Sequence, residues 1–245
     1  QYYLGINVTV RGHVCMLDQR KYVAELLQEF GLADTFTVTY PVAGTPSTDD
    51  RELDGEETAL FRRMLGCLVW LAIMTRPDIA YAVSAASVCM HAPRVLHRVA
   101  VVRIYRYLAG TMNMRLTYSK PDAQPMTASD SDWGNCKLTS RSQTAIVILM
   151  FGAAVLWRSM RQPVVATSTS EAEYMALSDA ARELLYLYGF VDELGIAELR
   201  FKLPLTIHTD NDGACKMAHE GADTTRTRHM HRRWHLVREL VREVH

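Results

Sequence analysis

Ser170-Glu-Ala-Glu-Tyr-Met-Ala-Leu177 opens a long helix, and what flanks that helix decides the fold. On its N-terminal side lie strand-like runs at 126–130, 143–151, 154–158 and 163–167. On its C-terminal side come a strand at 203–209, a short helix from Asn211 and a last helix from about His231. Strands, helix, strand, helix is an α/β order, and it predicts a mixed sheet with flanking helices.

Further upstream the rhythm differs. The linker Ser119-Lys-Pro-Asp-Ala-Gln-Pro125 separates this α/β region from an N-terminal one, so the expected domains are 1–120 and 121–245. Leu4, Ile6 and Val8 alternate onto one face, the chain turns at Arg11-Gly12, and Val14 and Met16 carry it back, which is a hairpin pattern. Asp18 can cap the helix bearing Val23, Leu26, Leu27 and Phe30, and Gly31 ends it. A polar loop runs from Pro41 to Gly55, and its Asp49-Asp50 pair is read as solvated. Residues 57–109 read as three helices. The first presents Leu60, Met64, Leu68 and Leu71 and stops at Arg76-Pro77, the second spans Ile79 to Met90, and the third runs from near Pro93 to Gly110.

Composition narrows the function classes. At 245 residues, 49% hydrophobic and 22% charged, the chain can bury a sizeable core. Lys plus Arg equals Asp plus Glu at 27 each, so no global field draws it to nucleic acid. Locally, Arg226, Arg228, Arg232, Arg233, Arg238 and Arg242 outnumber Glu239 and Glu243, which suits either a phosphate backbone or a solvated amphipathic helix. Five cysteines, an odd number without a CxxC pair, argue against a disulfide framework or a zinc site and for a reducing compartment. The apolar run Leu65 to Met74 is shorter than the roughly 20 residues a membrane span needs, so no membrane partner is expected. The chain opens without Met and in mid-strand, as a piece of something longer would.

Three acids stand out. Asp130 closes Met126-Thr-Ala-Ser-Asp130, Glu173 lies in the first turns of the long helix, and Asp210 closes Leu205-Thr-Ile-His-Thr-Asp210. Each has a structural alternative: Asp130 can cap a turn with Trp133-Gly134, Glu173 can favour a helix N-terminus, and Asp210 can N-cap the helix after it. Strand ends and a helix start can also converge at one sheet edge, where carboxylates hold divalent cations and so serve phosphodiester hydrolysis.

Ala128-Ser-Asp-Ser-Asp-Trp-Gly134, Arg141-Ser142, Val155-Leu-Trp-Arg-Ser-Met-Arg-Gln162, Thr169-Ser-Glu-Ala-Glu-Tyr-Met-Ala-Leu177 and His208-Thr-Asp-Asn211 closely resemble the ribonuclease H domain of copia-type LTR retrotransposon Pol polyproteins. Tyr3-Leu-Gly-Ile6, Gln19-Arg-Lys-Tyr22, Tyr40-Pro41, Thr75-Arg-Pro-Asp-Ile-Ala-Tyr81 and Arg106-Tyr-Leu-Ala-Gly-Thr111 resemble the end of the reverse transcriptase in the same polyproteins, a primer-grip hairpin followed by thumb- and connection-like helices. The resemblance implies an RNase H-like fold and hydrolysis of RNA in an RNA–DNA hybrid. It implies Asp130, Glu173 (rather than Glu171) and Asp210 as catalytic acids, with Asp132 as an exposed neighbour. They would hold two Mg²⁺ ions roughly 4 Å apart, with Mn²⁺ as the alternative. Arg141, Ser142, Ser168, Thr169, Arg226 and Arg228 would meet the hybrid backbone. The implied partners are the hybrid and the remainder of the Pol polyprotein, including the polymerase palm. The implied location is a cytoplasmic virus-like particle, with the nucleus second. The polymerase's Tyr-x-Asp-Asp signature and the family's fourth acid are absent from this sequence, and His231 stands where the family has Asp. A degenerate or domesticated remnant that binds nucleic acid without cutting it is the alternative reading, and a metal-dependent enzyme on another nucleic acid is a third.

Overall fold

A computed structural model describes residues 1–42, 50–119, 123–134 and 139–220, together with Val237 and Glu239. The chain divides into two compact units, Gln1–Ser119 and Lys120–His245.

In the first unit, strands β1 (Tyr2–Tyr3), β2 (Ile6–Arg11), β3 (Val14–Asp18) and β4 (Leu116–Tyr118) form an antiparallel sheet in that order. The β2–β3 hairpin closes on the pair Arg11↔Val14, and Gly12 in the turn takes φ +57°, the left-handed conformation that glycine adopts without a steric cost. Strand β4 has no counterpart in the sequence reading, because three residues carry too little periodicity to register. The helices are α1 (Arg20–Glu29), α2 (Gly55–Met74), α3 (Ala80–Ser87, after a 3₁₀ turn at Pro77–Ile79) and α4 (Val95–Gly110).

Several expectations shift in this unit. Leu4 lies in the turn between β1 and β2, with φ +50° and 63% exposed, not on the hairpin face, and the second expected helix ends at Ser87 rather than Met90. Asp18 does not occupy the N-cap, which is Gln19, although its carboxylate accepts the Arg20 N–H at 3.1 Å. Leu60 is 44% exposed, and the buried stripe of α2 is Phe61, Met64, Leu65, Leu68, Leu71 and Ala72. Helix α2 starts at Gly55 because Asp54 and Glu57 form a reciprocal capping box ahead of it. Its buried stripe packs with Val23, Leu26 and Leu27 of α1 and with Ile104, Tyr105 and Leu108 of α4 in one hydrophobic core.

In the second unit, β5 (Met126–Asp132), β6 (Gln143–Met150) and β7 (Ala153–Arg161) run antiparallel, and β8 (Ile207–His208) pairs parallel to β5. The sheet order is β7-β6-β5-β8, a mixed sheet. Helix α5 (Thr169–Glu193) packs on β5 and β6, and α6 (Asp212–Glu220) packs on α5.

Alternation along the strands sets which face α5 covers. Thr127, Ser129 and Ser131 on β5 and Thr144, Ile146, Ile148 and Met150 on β6 are buried, whereas Met126, Asp130 and Asp132 are exposed. Every residue of α5 from Glu171 to Ala181 is buried, since the sheet lies on one side and Ala214, Ala218 and Val237 pack with Ala172, Tyr174 and Met175 on another. The run at 163–167 is not a strand: β7 ends at Arg161, Pro163 cannot donate to a ladder, and Val164 and Val165 are exposed in the connection to α5. The expected strand at 203–209 contracts to Ile207–His208, because only Thr127↔Ile207 and Ala128↔His208 pair with β5. Helix α5 runs for 25 residues, and Leu184 and Val191 continue its buried stripe toward the C-terminal end. The last helix, from about His231, falls outside the described residues except for Val237 and Glu239, which are helical. Among the described residues, no helix is long and apolar enough to cross a membrane.

Candidate metal centre

The register of the sheet brings two of the three acids level. The parallel pairs Thr127↔Ile207 and Ala128↔His208 share one offset, and continuing it past β8 sets Asp210 beside Asp130 at the C-terminal ends of adjacent strands. The third acid comes from α5, where local chemistry divides the labour between two glutamates. Ser168 is the N-cap and its hydroxyl accepts the Glu171 N–H at 3.2 Å. The Glu171 carboxylate turns back to accept the Thr167 N–H at 2.7 Å and the Thr167 hydroxyl through a short contact. Glu171 is thus committed to the helix start. Glu173, further along the helix, reaches the end of β5, where its Oε1 accepts the Ser131 N–H at 3.3 Å.

Asp130, Glu173 and Asp210 each offer a carboxylate oxygen, and these oxygens all lie within 4.8 Å of one another. The two aspartates are exposed, while Glu173 is only 3% accessible. Burial pushes the Glu173 carboxyl above its ordinary value, the Ser131 hydrogen bonding opposes that rise, and the charges of Asp130 and Asp210 add to it. Among the described residues, no Lys or Arg pairs with any of the three. The Glu173 Oε2 atom is buried with no hydrogen-bond partner among the described residues. A buried carboxylate oxygen beside two further carboxylates, without a protein cation, is a donor set suited to a hard divalent ion.

The structural alternatives for these acids are filled by their neighbours. Asn211, not Asp210, caps α6: its side chain accepts the Ala214 N–H at 2.9 Å and its carbonyl accepts the Cys215 N–H. Ser142, not Asp130, serves the turn after β5, where its hydroxyl accepts the Gly134 N–H at 3.2 Å. Trp133 donates its ring N–H to the Ala166 carbonyl at 3.1 Å, which ties that turn to the segment leading into α5. Gly213 permits the start of α6 to close on the start of α5, because a Cβ there would lie 2.5 Å from the Ser170 hydroxyl oxygen.

The remaining candidates fall in different places. Ser168 and Thr169 are exposed at the start of α5, and Arg141 is half-buried just before β6. Ser142 is fully buried with its hydroxyl engaged, so as it stands it presents no surface to a phosphate, and its part is to hold the turn. Asp132 is exposed on the same sheet face as Asp130 and does not join the three-acid group. Arg226, Arg228, His229 and His231 lie outside the described residues. Sequence reasoning missed the Ser131 N–H, for which no side-chain signal exists. It also missed Asn211 as the cap, although Asn three residues before Ala214 fits the N-cap pattern.

The chain is 32% identical to the retrovirus-related Pol polyprotein from transposon RE1 of Arabidopsis thaliana, over 98% of the chain and 16% of that relative. It is 30% identical to the corresponding polyprotein from transposon TNT 1-94 of Nicotiana tabacum, over 92% of the chain and 17% of the relative. Transposon RE2 of Arabidopsis thaliana gives 30% identity over 98% of the chain and 16% of its polyprotein. The chain belongs to the retrovirus-related Pol polyproteins of transposons. That membership accords with the copia-type resemblance of its motifs. The chain spans about one-sixth of the length of these relatives. No protein-family model and no solved structure matches it.

Proposed function

We propose that the second unit is an RNase H-like domain that hydrolyses the RNA strand of an RNA–DNA hybrid with divalent metal ions. The observation that supports it is the convergence of Asp130, Glu173 and Asp210 with their oxygens within 4.8 Å, and among the described residues no Lys or Arg pairs with them. Asp130, Glu173 and Asp210 would hold the ions, Mg²⁺ in the first instance and Mn²⁺ as the alternative. Bound there, the ions supply a water activated for attack on phosphorus and a counter-charge for the departing oxygen.

The chain's own groups divide the rest of the work. The Ser131 N–H orients Glu173, and burial keeps bulk water from its inner oxygen. Asp130 and Asp210, exposed at the strand ends, leave the outer side open to a phosphodiester. The start of α5, with exposed Ser168 and Thr169, presents the positive end of a helix dipole beside that opening, a setting suited to a strand phosphate. Half-buried Arg141 would add one backbone contact, and recognition through phosphates and 2′-hydroxyls would not read base sequence. The rest of a Pol polyprotein, including its polymerase palm, is the proposed physical partner, and a cytoplasmic virus-like particle the proposed location.

The test is cleavage of an end-labelled RNA in an RNA–DNA hybrid with Mg²⁺, for the chain and for Asp130→Asn. Mg²⁺-dependent cutting that Asp130→Asn abolishes is the expected result. Equal cutting by both proteins would refute the site. Hybrid binding with no turnover would replace the hydrolase by a binding module.

A further inference from the structure

Gln162 is 1% exposed, a buried polar side chain in the connection one residue beyond β7. Its Nε2 donates to the Thr144 hydroxyl oxygen at 3.0 Å and to the Ala172 carbonyl at 2.9 Å. Its backbone N–H donates to the Ser142 carbonyl at 2.8 Å. Its Oε1 is buried without a partner among the described residues. Methionine would fill the same space without burying an orphaned acceptor, so packing alone does not account for glutamine here.

The two Nε2 contacts explain the choice. The Ala172 carbonyl belongs to the peptide unit whose nitrogen is that of Glu173, so Gln162 grips the backbone from which the Glu173 side chain leaves. Thr144 stands opposite Ser131 in the β5–β6 register, and the Ser131 N–H holds the Glu173 carboxylate. A closed circuit results. From the Glu173 carboxylate it passes to Ser131, across the ladder to Thr144, through Gln162 to the Ala172 carbonyl, and back to Glu173. The head and the root of one side chain are thereby referred to the same row of the sheet.

We infer that Gln162 is a positioning residue for the metal centre, fixing where the Glu173 carboxylate can meet a cation. This rests on the proposed metal-binding role of Asp130, Glu173 and Asp210. Partners that orient a metal-binding side chain contribute about 10–100-fold to metal affinity. A strut that only joined β7 to α5 would contribute to stability and leave affinity alone.

The experiment is a Mn²⁺ titration of the full chain followed by electron paramagnetic resonance, with thermal unfolding in EDTA measured alongside. The proteins are the parent, Gln162→Met, the isosteric Gln162→Glu (which as an ionised carboxylate cannot donate to the Ala172 carbonyl) and Ile148→Val. The last trims a fully buried core residue of the same sheet and serves as a control for lost stability. The expected result is Mn²⁺ binding weakened about tenfold in both Gln162 variants, and unchanged within about twofold in Ile148→Val. Using Gln162→Glu beside Gln162→Met keeps the measurement available should one of them fail to fold. Mn²⁺ affinity at the parent's level in a folded Gln162 variant would overturn the inference while leaving the metal site standing. A parent that binds no Mn²⁺ would overturn the metal site, and the inference with it.

Discussion

Replacing Glu173 by Gln should stabilise the metal-free protein, which is the reverse of what removing a buried, hydrogen-bonded group ordinarily does. The carboxylate oxygens of Asp130, Glu173 and Asp210 lie within 4.8 Å of one another. At that distance two unit charges repel by about 0.9 kcal/mol in bulk water and about 3.5 kcal/mol at an effective dielectric constant of about 20. Because both aspartates are exposed, a value of about 1–2 kcal/mol per pair is reasonable, hence about 2–4 kcal/mol over the two pairs that involve Glu173. Gln keeps the volume and can still accept the Ser131 N–H, but it loses about 1 kcal/mol of charge assistance in that bond. The net gain is about 1–3 kcal/mol, or a rise in Tm of about 4–10 °C for a unit of this size. Burial of Glu173 first, and the Asp130 and Asp210 charges after it, also shape the pH dependence. Glu173 has its folded pKa raised above the ordinary 4.5, so the native state holds this proton more tightly than the unfolded state does. Stability of the metal-free parent should therefore rise as pH falls from neutral through the folded pKa toward 4.5, and that part of the profile should vanish in Glu173→Gln. The assay is thermal unfolding in EDTA between neutral pH and about pH 5, repeated with Mg²⁺. Divalent ion at about 100 times its Kd should raise the parent by about 2.7 kcal/mol and Glu173→Gln by much less. A Glu173→Gln protein that melts below the parent in EDTA would refute the reasoning, because the three carboxylates would then not be in mutual repulsion.

Two further substitutions test the parts that place these acids. Glu171→Ala should cost about 1 kcal/mol by removing the return bonds to Thr167 at the α5 N-terminus, while leaving the Mg²⁺-induced rise in Tm intact. Loss of that rise in calorimetry would mean that Glu171, not Glu173, is the ligand. Gly213→Ala should cost about 1–3 kcal/mol by overpacking, since its Cβ would lie 2.5 Å from the Ser170 hydroxyl oxygen and 3.2 Å from the Ser170 Cβ. Adding Ser170→Gly should restore part of the lost stability in chemical denaturation, and strict additivity of the two changes would show that they do not touch.

The order of elements was legible because the strands of the second unit are long and separated by recognisable turns. Gln143–Met150 and Ala153–Arg161 are nearly continuous apolar-rich segments, joined where Phe151 and Gly152 take positive φ. Where reading failed, the deciding term was non-local. Val164 and Val165 have strand propensity but no partner strand, so they remain exposed in a connection. Residues 203–206 alternate convincingly, yet β8 is only as long as its pairing with β5. Leu60 sits at helical spacing from Met64, but only packing with α1 and α4 decides that Phe61 rather than Leu60 faces inward.

The acids were legible for a different reason, and their neighbours supply it. Each of the three structural duties available at these positions is performed by an adjacent residue: Asn211 caps α6, Glu171 closes the start of α5, and Ser142 satisfies Gly134. A chain selected for stability alone has no use for acids at these places once those duties are filled, still less for three whose oxygens crowd within 4.8 Å. Sequences tend to be consistent across levels except where function requires a local conflict. Here the conflict is electrostatic, it is confined to one end of one sheet, and neutralising any member should relieve it. That is why Glu173→Gln is the more decisive perturbation than a loss-of-activity variant. Many changes could abolish cleavage for unrelated reasons, whereas a gain in stability on removing a ligand charge reports the burial and the neighbouring carboxylates that the folded site imposes on it.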